Sequence, residues 1–221
     1  MKQQKGVFCM KYKAIIFDLD GVICHTDHYH YLAWKQLADK LGVYFDETIN
    51  NRLRGVSRME SLEIILERLD GRVLTKEEKV ELAEEKNERY KELLKKMSPQ
   101  DLSQEVKDTL DFLRTQGLKL AIGSSSKNAR LILSQIGLEN FFDAISDGNN
   151  ITMSKPHPEV FLKAAEYLGI EPKDCMVVED AKAGIEAATV VGMDSGAIGD
   201  ACGYQLATYD LPKFSSILCF A

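Results

Sequence analysis

With 221 residues, the chain is long enough for one large domain or two modest ones with a substantial core. Its 45% apolar and 28% charged residues are ordinary for a soluble globular protein. No uninterrupted apolar run approaches the ~20 residues needed to span a bilayer, so no membrane association is expected, and residues 1–10 do not read as a signal peptide. A net charge of −6 gives no electrostatic reason to expect nucleic acid as a partner, since phosphate backbones demand clustered Lys and Arg. The five cysteines (Cys9, Cys24, Cys175, Cys202 and Cys219) are odd in number and lack CxxC spacing, so free thiols and a cytoplasmic location are expected.

The first predicted element is a buried strand, Ala14-Ile15-Ile16-Phe17, which ends in Asp18-Leu19-Asp20-Gly21-Val22. Residues 26–41 carry His30, Trp34, Leu37 and Leu41 at helical spacing before a Gly42 stop. Two capping-box signatures follow, Ser57 with Glu60 and Thr75 with Glu78, and each opens a predicted helix. The first helix buries Leu62, Ile65, Leu66 and Leu69; the second buries Ala83, Tyr90, Leu93, Leu94 and Met97 and ends at Ser98-Pro99. These three helices in succession contain no convincing strand.

From Asp101 onward strand and helix alternate. A helix through Val106, Leu110 and Leu113 precedes a strand at 118–123; a helix over 127–136 precedes a short strand at 142–145. A helix over 158–168 then leads to a strand at 175–178 and a helix over 181–191. After Gly199 only an edge strand and a last short helix are expected. The repeated βα pattern predicts an α/β fold, a parallel sheet covered by helices on both faces. The first strand has no βα neighbour until residue 118, so the helical block reads as an insertion: a core of residues 1–25 and 101–221 with a helical domain at 26–100.

Four polar clusters fall at the ends of the predicted strands, where open α/β sheets gather ligands. Asp18 and Asp20 form the first; read alone, a strand end capped by a turn explains them equally well. Ser124-Ser125-Ser126-Lys127-Asn128 meets a helix N-terminus, a place that favours phosphate, although Ser is also an ordinary N-cap. Lys155, in Ser154-Lys155-Pro156, read alone is a solvated surface lysine. Glu179-Asp180 is a second acidic pair, and two acid pairs at one sheet edge suggest Mg²⁺, a hard cation that prefers oxygen ligands.

In that order the four clusters resemble the haloacid dehalogenase-like superfamily of phosphotransferases, and the resemblance covers nearly the whole chain. It implies a Rossmann-like core with an inserted helical cap. Asp18 would accept a phosphoryl group as an aspartyl phosphate and Asp20 would serve as acid and base. It further implies Mg²⁺ held by Asp18, the Asp20 carbonyl, Glu179 and Asp180, and phosphate oxygens held by Ser124 and Lys155.

Within the helical block, Arg58 stands in the first turn of a helix preceded by Gly55-Val56-Ser57, and Lys86 lies on the apolar stripe of Ala83 and Tyr90. A surface arginine and a snorkelling lysine are the plain alternatives. Together with Tyr29-His30, Trp34, Lys86-Asn87 and the serine segment, these residues resemble the β-phosphoglucomutase family. That resemblance implies a monomer interconverting β-D-glucose 1-phosphate and D-glucose 6-phosphate through a bisphosphate. Arg58, Ser126, Lys127 and Asn128 would hold the second phosphate, Ser125 would belong to the same loop, and His30 and Lys86 would couple cap closure to the placing of Asp20. A sugar-phosphate phosphatase of the same superfamily shares every core residue. A metal-binding module on Cys24, His25, His28 and His30 would be a different class, as would a catalytically silent sugar-phosphate sensor.

Overall fold

A computed structural model of the chain describes residues 11–53, 56–71 and 73–220. The strands are β1 (Ala14–Phe17), β2 (Lys119–Gly123), β3 (Ala144–Ser146), β4 (Cys175–Glu179), β5 (Asp194–Ala197) and β6 (Tyr209–Asp210). They form one all-parallel sheet in the order β3-β2-β1-β4-β5-β6. β1 is fully buried because it is central and covered on both faces. Ile15 and Phe17 point to one face with Leu120, Ile122, Met176 and Val178, while Ala14 and Ile16 point to the other with Ala121 and Val177.

Within residues 26–100 the described chain forms four α-helices, α1 (Asp27–Lys40), α2 (Glu47–Asn51), α3 (Arg58–Leu66) and α4 (Lys76–Leu94). The sequence pattern predicts three. The missed α2 has five residues, too short for a periodic pattern, but Asp46 caps it by accepting from the Ile49 N–H at 2.9 Å. Both expected capping boxes form, at Ser57/Glu60 and Thr75/Glu78. Trp34, Leu37, Phe45, Ile49, Leu62, Ile65 and Ala83 make a core of their own within this block. The distal part of α4 (Tyr90, Leu93, Leu94) and Met97 after it belong instead to the main core.

The remaining helices are α5 (Gln104–Thr115), α6 (Ala129–Gln135), α7 (Glu159–Leu168) and α8 (Lys182–Val190). α5 and α6 cover the Phe17 face, joined by a C-terminal 3₁₀ segment Phe214–Phe220 in which Phe214 stacks on Phe17 with ring centroids 5.6 Å apart. α7 and α8 cover the other face. The chain after Gly199 contains the expected edge strand, β6, and that last short helix. β5 has no counterpart among the strands the sequence predicts, and β3 starts two residues later than the predicted strand. From β1 the chain builds β2 and β3 on one side and β4, β5 and β6 on the other, so the switch in strand order opens a crevice at the carboxyl ends of the central strands.

Candidate active site

Register brings the acidic pairs to that crevice. Phe17 pairs with both Ile122 and Val178, so Asp18, Gly123 and Glu179 all stand one residue further along, at the same sheet level. The Asp18 N–H extends the ladder by donating to the Val178 carbonyl at 2.9 Å. Gly21 has a φ of +91°, and a Cβ there would stand 2.1 Å from Asp180 Oδ2. A side chain at 21 is therefore excluded on both counts. Gly184, in the first turn of α8, makes the same kind of room: a Cβ would lie 1.9 Å from Glu179 Oε1. Glu179 Oε2 accepts from the Ala181 N–H at 3.0 Å, which fixes the other end of the carboxylate.

Lys155 is far from a solvated lysine. Its side chain is 9% exposed and its ammonium donates to Asp18 Oδ1 and, at 2.5 Å, to Glu179 Oε1. Burial pulls this lysine down, but the two carboxylates outweigh it and hold its pKa above the ordinary lysine value. Asp18 is pushed well above the usual carboxylate range by burial; Lys155 opposes that, and Glu179, Asp180 and Asp20 add to it. Lys155 pairs with two of these four carboxylates, Asp18 and Glu179. Asp20 is likewise raised by burial, against a hydrogen bond from Thr26 Oγ1.

Ser124 follows β2 and is buried; its N–H donates to the Ser146 carbonyl at 3.0 Å and its Oγ accepts from the Ser126 N–H at 3.2 Å. Ser126 Oγ in turn accepts from the Asn128 N–H at 3.2 Å, a chain of small-residue turns that shapes this loop. Ser125 is half-buried and Lys127 exposed. The helix expected from residue 127 begins at Ala129, with Asn128 at its N-cap position. Asn128 does not cap. Its Nδ2 donates to Asn87 Oδ1 at 2.9 Å, and Arg58 Nη2 donates to that same oxygen at 2.9 Å.

Lys86 is 3% exposed, with its Nζ 2.9 Å from His30 Nδ1 and over the rings of Trp34 and Tyr90, 4.6 Å from each centroid. Burial, then Arg58, lower its pKa to about 7, while Asp20 pulls the other way. Burial, Lys86 and Arg58 hold His30 well below the usual imidazole value. A lysine whose folded pKa is depressed binds fewer protons folded than unfolded between pH about 7 and its ordinary 10.5, so stability rises across that window. Lys86→Met is accordingly expected to stabilise the protein by about 1–3 kcal/mol at neutral pH after loss of two cation–π contacts, while weakening binding of an anionic ligand. Thermal melts at pH 6 and pH 9 check this, and the gain should be smaller at pH 9.

Of the other sequence candidates, Val56 is exposed and Ser57 Oγ is taken by the Glu60 N–H at 3.3 Å as the cap of α3. Gly55 lies outside the described residues. Cys24 is buried, its thiol pKa raised by burial, whereas His25 and His28 are exposed and His30 faces Lys86. Among the described residues no group of three or more His, Cys, Asp or Glu side chains stands ready to hold a metal ion. In the acidic cluster Lys155 is drawn onto Asp18 and Glu179. The sequence predicts no role for Asn87, whose one signal is its place next to that buried lysine.

A family model described as haloacid dehalogenase-like hydrolase matches residues 12–192. The chain belongs to the haloacid dehalogenase-like hydrolase family. A β-phosphoglucomutase of Bacillus subtilis (strain 168) is 43% identical over 190 residues, covering 85% of this chain and 83% of its own. A phosphorylated carbohydrates phosphatase of Thermotoga maritima is 32% identical over 184 residues, 82% of each chain. The crystal structure of a β-phosphoglucomutase from Clostridium difficile superposes with a TM-score of 0.85 at 38% identity, covering 93% of both chains. The six-stranded parallel sheet with its helices matches the fold of that structure, and no helix among the described residues is long and apolar enough to cross a membrane.

Proposed function

We propose that the protein is a Mg²⁺-dependent β-phosphoglucomutase interconverting β-D-glucose 1-phosphate and D-glucose 6-phosphate through β-glucose 1,6-bisphosphate. The observation that carries this reading is the joining of Arg58, from the helical block, to Asn128, from the loop after β2, through Asn87. Arg58 and Asn128 held together in this way would make a second anion site, which a bisphosphate requires and a monophosphate does not. Residues 26–100 are read as a cap over a core of 1–25 and 101–221. The protein is further read as a cytoplasmic monomer whose partner is a small phosphorylated sugar; the free thiols of Cys24, Cys175, Cys202 and Cys219 suit a reducing compartment.

In the proposed reaction Asp18 attacks the phosphorus, a new P–O bond forms to its carboxylate and the P–O bond to the sugar breaks. Asp20, whose raised pKa favours the protonated form, gives its proton to the departing sugar oxygen. The 6-hydroxyl of a β-D-glucose 1-phosphate then returns a proton to Asp20 and takes the phosphoryl group from Asp18, giving the 1,6-bisphosphate, which turns end for end and passes its 1-phosphoryl group to Asp18 as D-glucose 6-phosphate departs. Ser124 and Lys155 face the transferring phosphate; Arg58, Ser126, Lys127 and Asn128 face the other one. Lys86, His30 and Trp34 link the cap to Asp20, and closure excludes the water that would otherwise hydrolyse the aspartyl phosphate.

The carboxylates of Asp18, Asp20, Glu179 and Asp180, which act on one another through their charges and are all oxygen donors, suit a hard divalent cation. Asp18, the Asp20 carbonyl, Glu179 and Asp180 would hold Mg²⁺, whose chemistry there is to neutralise phosphoryl charge as one anion meets another.

A coupled assay for glucose 6-phosphate, with Mg²⁺ and a trace of bisphosphate, tests the reading. Release of inorganic phosphate with little glucose 6-phosphate would give a phosphatase instead. Arg58→Ala is expected to lower mutase kcat/KM by about 100-fold, as for loss of a charge-assisted anchor of a few kcal/mol, and to lower hydrolysis of a small phosphomonoester less than threefold. Comparing the two rates in one preparation decides it, since equal losses remove the role given to Arg58.

A further inference from the structure

A guanidinium only donates hydrogen bonds, so the Asn87 group facing Arg58 must be its oxygen, and the Asn128 group meeting that oxygen must be its NH₂. Asn87 is 7% exposed and Asn128 equally so; the shared acceptor is shielded from water. α4 thereby ties α3 to the start of α6 through one atom. The acceptor is also neutral. Buried arginines usually pair with carboxylates, and Glu84 and Glu88 on the same helix exert an electrostatic pull on Arg58. Yet the hydrogen bond goes to an amide that leaves the guanidinium charge uncancelled.

We infer that Asn87 is a positioning residue that fixes Arg58 and Asn128 to each other through a neutral acceptor, so that the arginine charge remains available to the second phosphate of a sugar bisphosphate. This rests on the mutase reading for the identity of the ligand, but its logic needs only an anion with two phosphates. A carboxylate at 87 would accept both hydrogen bonds equally well and hold the same geometry. It would also place a negative charge against Arg58, turning an anion site into a closed ion pair.

The test uses the full-length protein with Mg²⁺ and follows glucose 1,6-bisphosphate and inorganic phosphate as competitors of p-nitrophenyl phosphate hydrolysis. For Asn87→Asp, the inhibition constant of the bisphosphate is expected to rise about tenfold or more relative to that of inorganic phosphate, the scale of one added charge near the ligand. In an Arg58→Gln background the same substitution should change that ratio less than twofold. Asn87→Ser, uncharged and too short to bridge, should raise the ratio about threefold and serves if the Asp variant does not fold. An unchanged ratio in both variants, or an effect that persists without Arg58, overturns the assignment. A wild-type protein that isomerises no sugar phosphate would sink the mutase reading while leaving this competition to judge Asn87 separately.

Discussion

Asp18→Asn is expected to abolish phosphoryl transfer, by on the order of 10⁴-fold or more in kcat, the scale for removing a nucleophile from machinery that acts as a unit. The amide keeps the size of the side chain and can still meet Lys155, but it offers no anionic oxygen to the phosphorus. Stability should move the other way. Burial and the Glu179, Asp180 and Asp20 carboxylates hold the Asp18 pKa well above its ordinary value, so its charged form opposes folding at neutral pH. An acid raised in the folded state favours folding below its unfolded pKa and loses that advantage as pH rises through the folded one. The neutral amide removes this dependence, so the variant should melt no lower than the wild type at pH 7. Intact-mass measurement after incubation with glucose 1,6-bisphosphate should show a phosphorylated wild type and an unmodified variant. A variant that loses activity together with several degrees of melting temperature would mark Asp18 as structural.

What the sequence disclosed follows from where its signals are local. β1 and β4 were legible because central parallel strands are apolar on both faces, and the two capping boxes because their signature spans four residues. β5 was invisible because Asp194-Ser195-Gly196-Ala197 has no branched or aromatic residue. A Cβ at Gly196 would stand 2.7 Å from side-chain ends of both Leu211 and Met176, so its packing is set by distant chain. Lys155 shows the same limit from the side of chemistry. One loop lysine says nothing of its surroundings until the topology carries it 137 positions back to Asp18. The order of the clusters was readable, whereas the joining of Arg58 and Asn128 through Asn87 was not, because an acceptor on one helix shared by donors from two distant segments has no spacing rule.

Lys155→Met should be the most destabilising single change in the crevice. The ammonium is the cation shared by Asp18 and Glu179, and removing one member of a buried ion pair leaves uncompensated charge at a cost of about 3–5 kcal/mol. For a chain of this length that corresponds to a fall in melting temperature of roughly 6–20 °C at pH 7. The deficit is tied to ionised carboxylates. Protonating Asp18, already raised in the wild type and raised further without Lys155, removes one of the unpaired charges, so the gap between variant and wild type should narrow as pH falls from 7 toward 5. A divalent cation offers a second way to balance the same oxygens, and a ligand that binds only the folded state stabilises it in proportion to its occupancy. Millimolar Mg²⁺ should therefore raise the melting temperature of the variant more than that of the wild type, because in the wild type it competes with an ammonium already in place. Equal Mg²⁺ shifts in the two proteins, or a gap that is constant from pH 5 to pH 7, would mean that Lys155 holds the loop by packing against Phe161, 4.7 Å from its ring centre, rather than by charge.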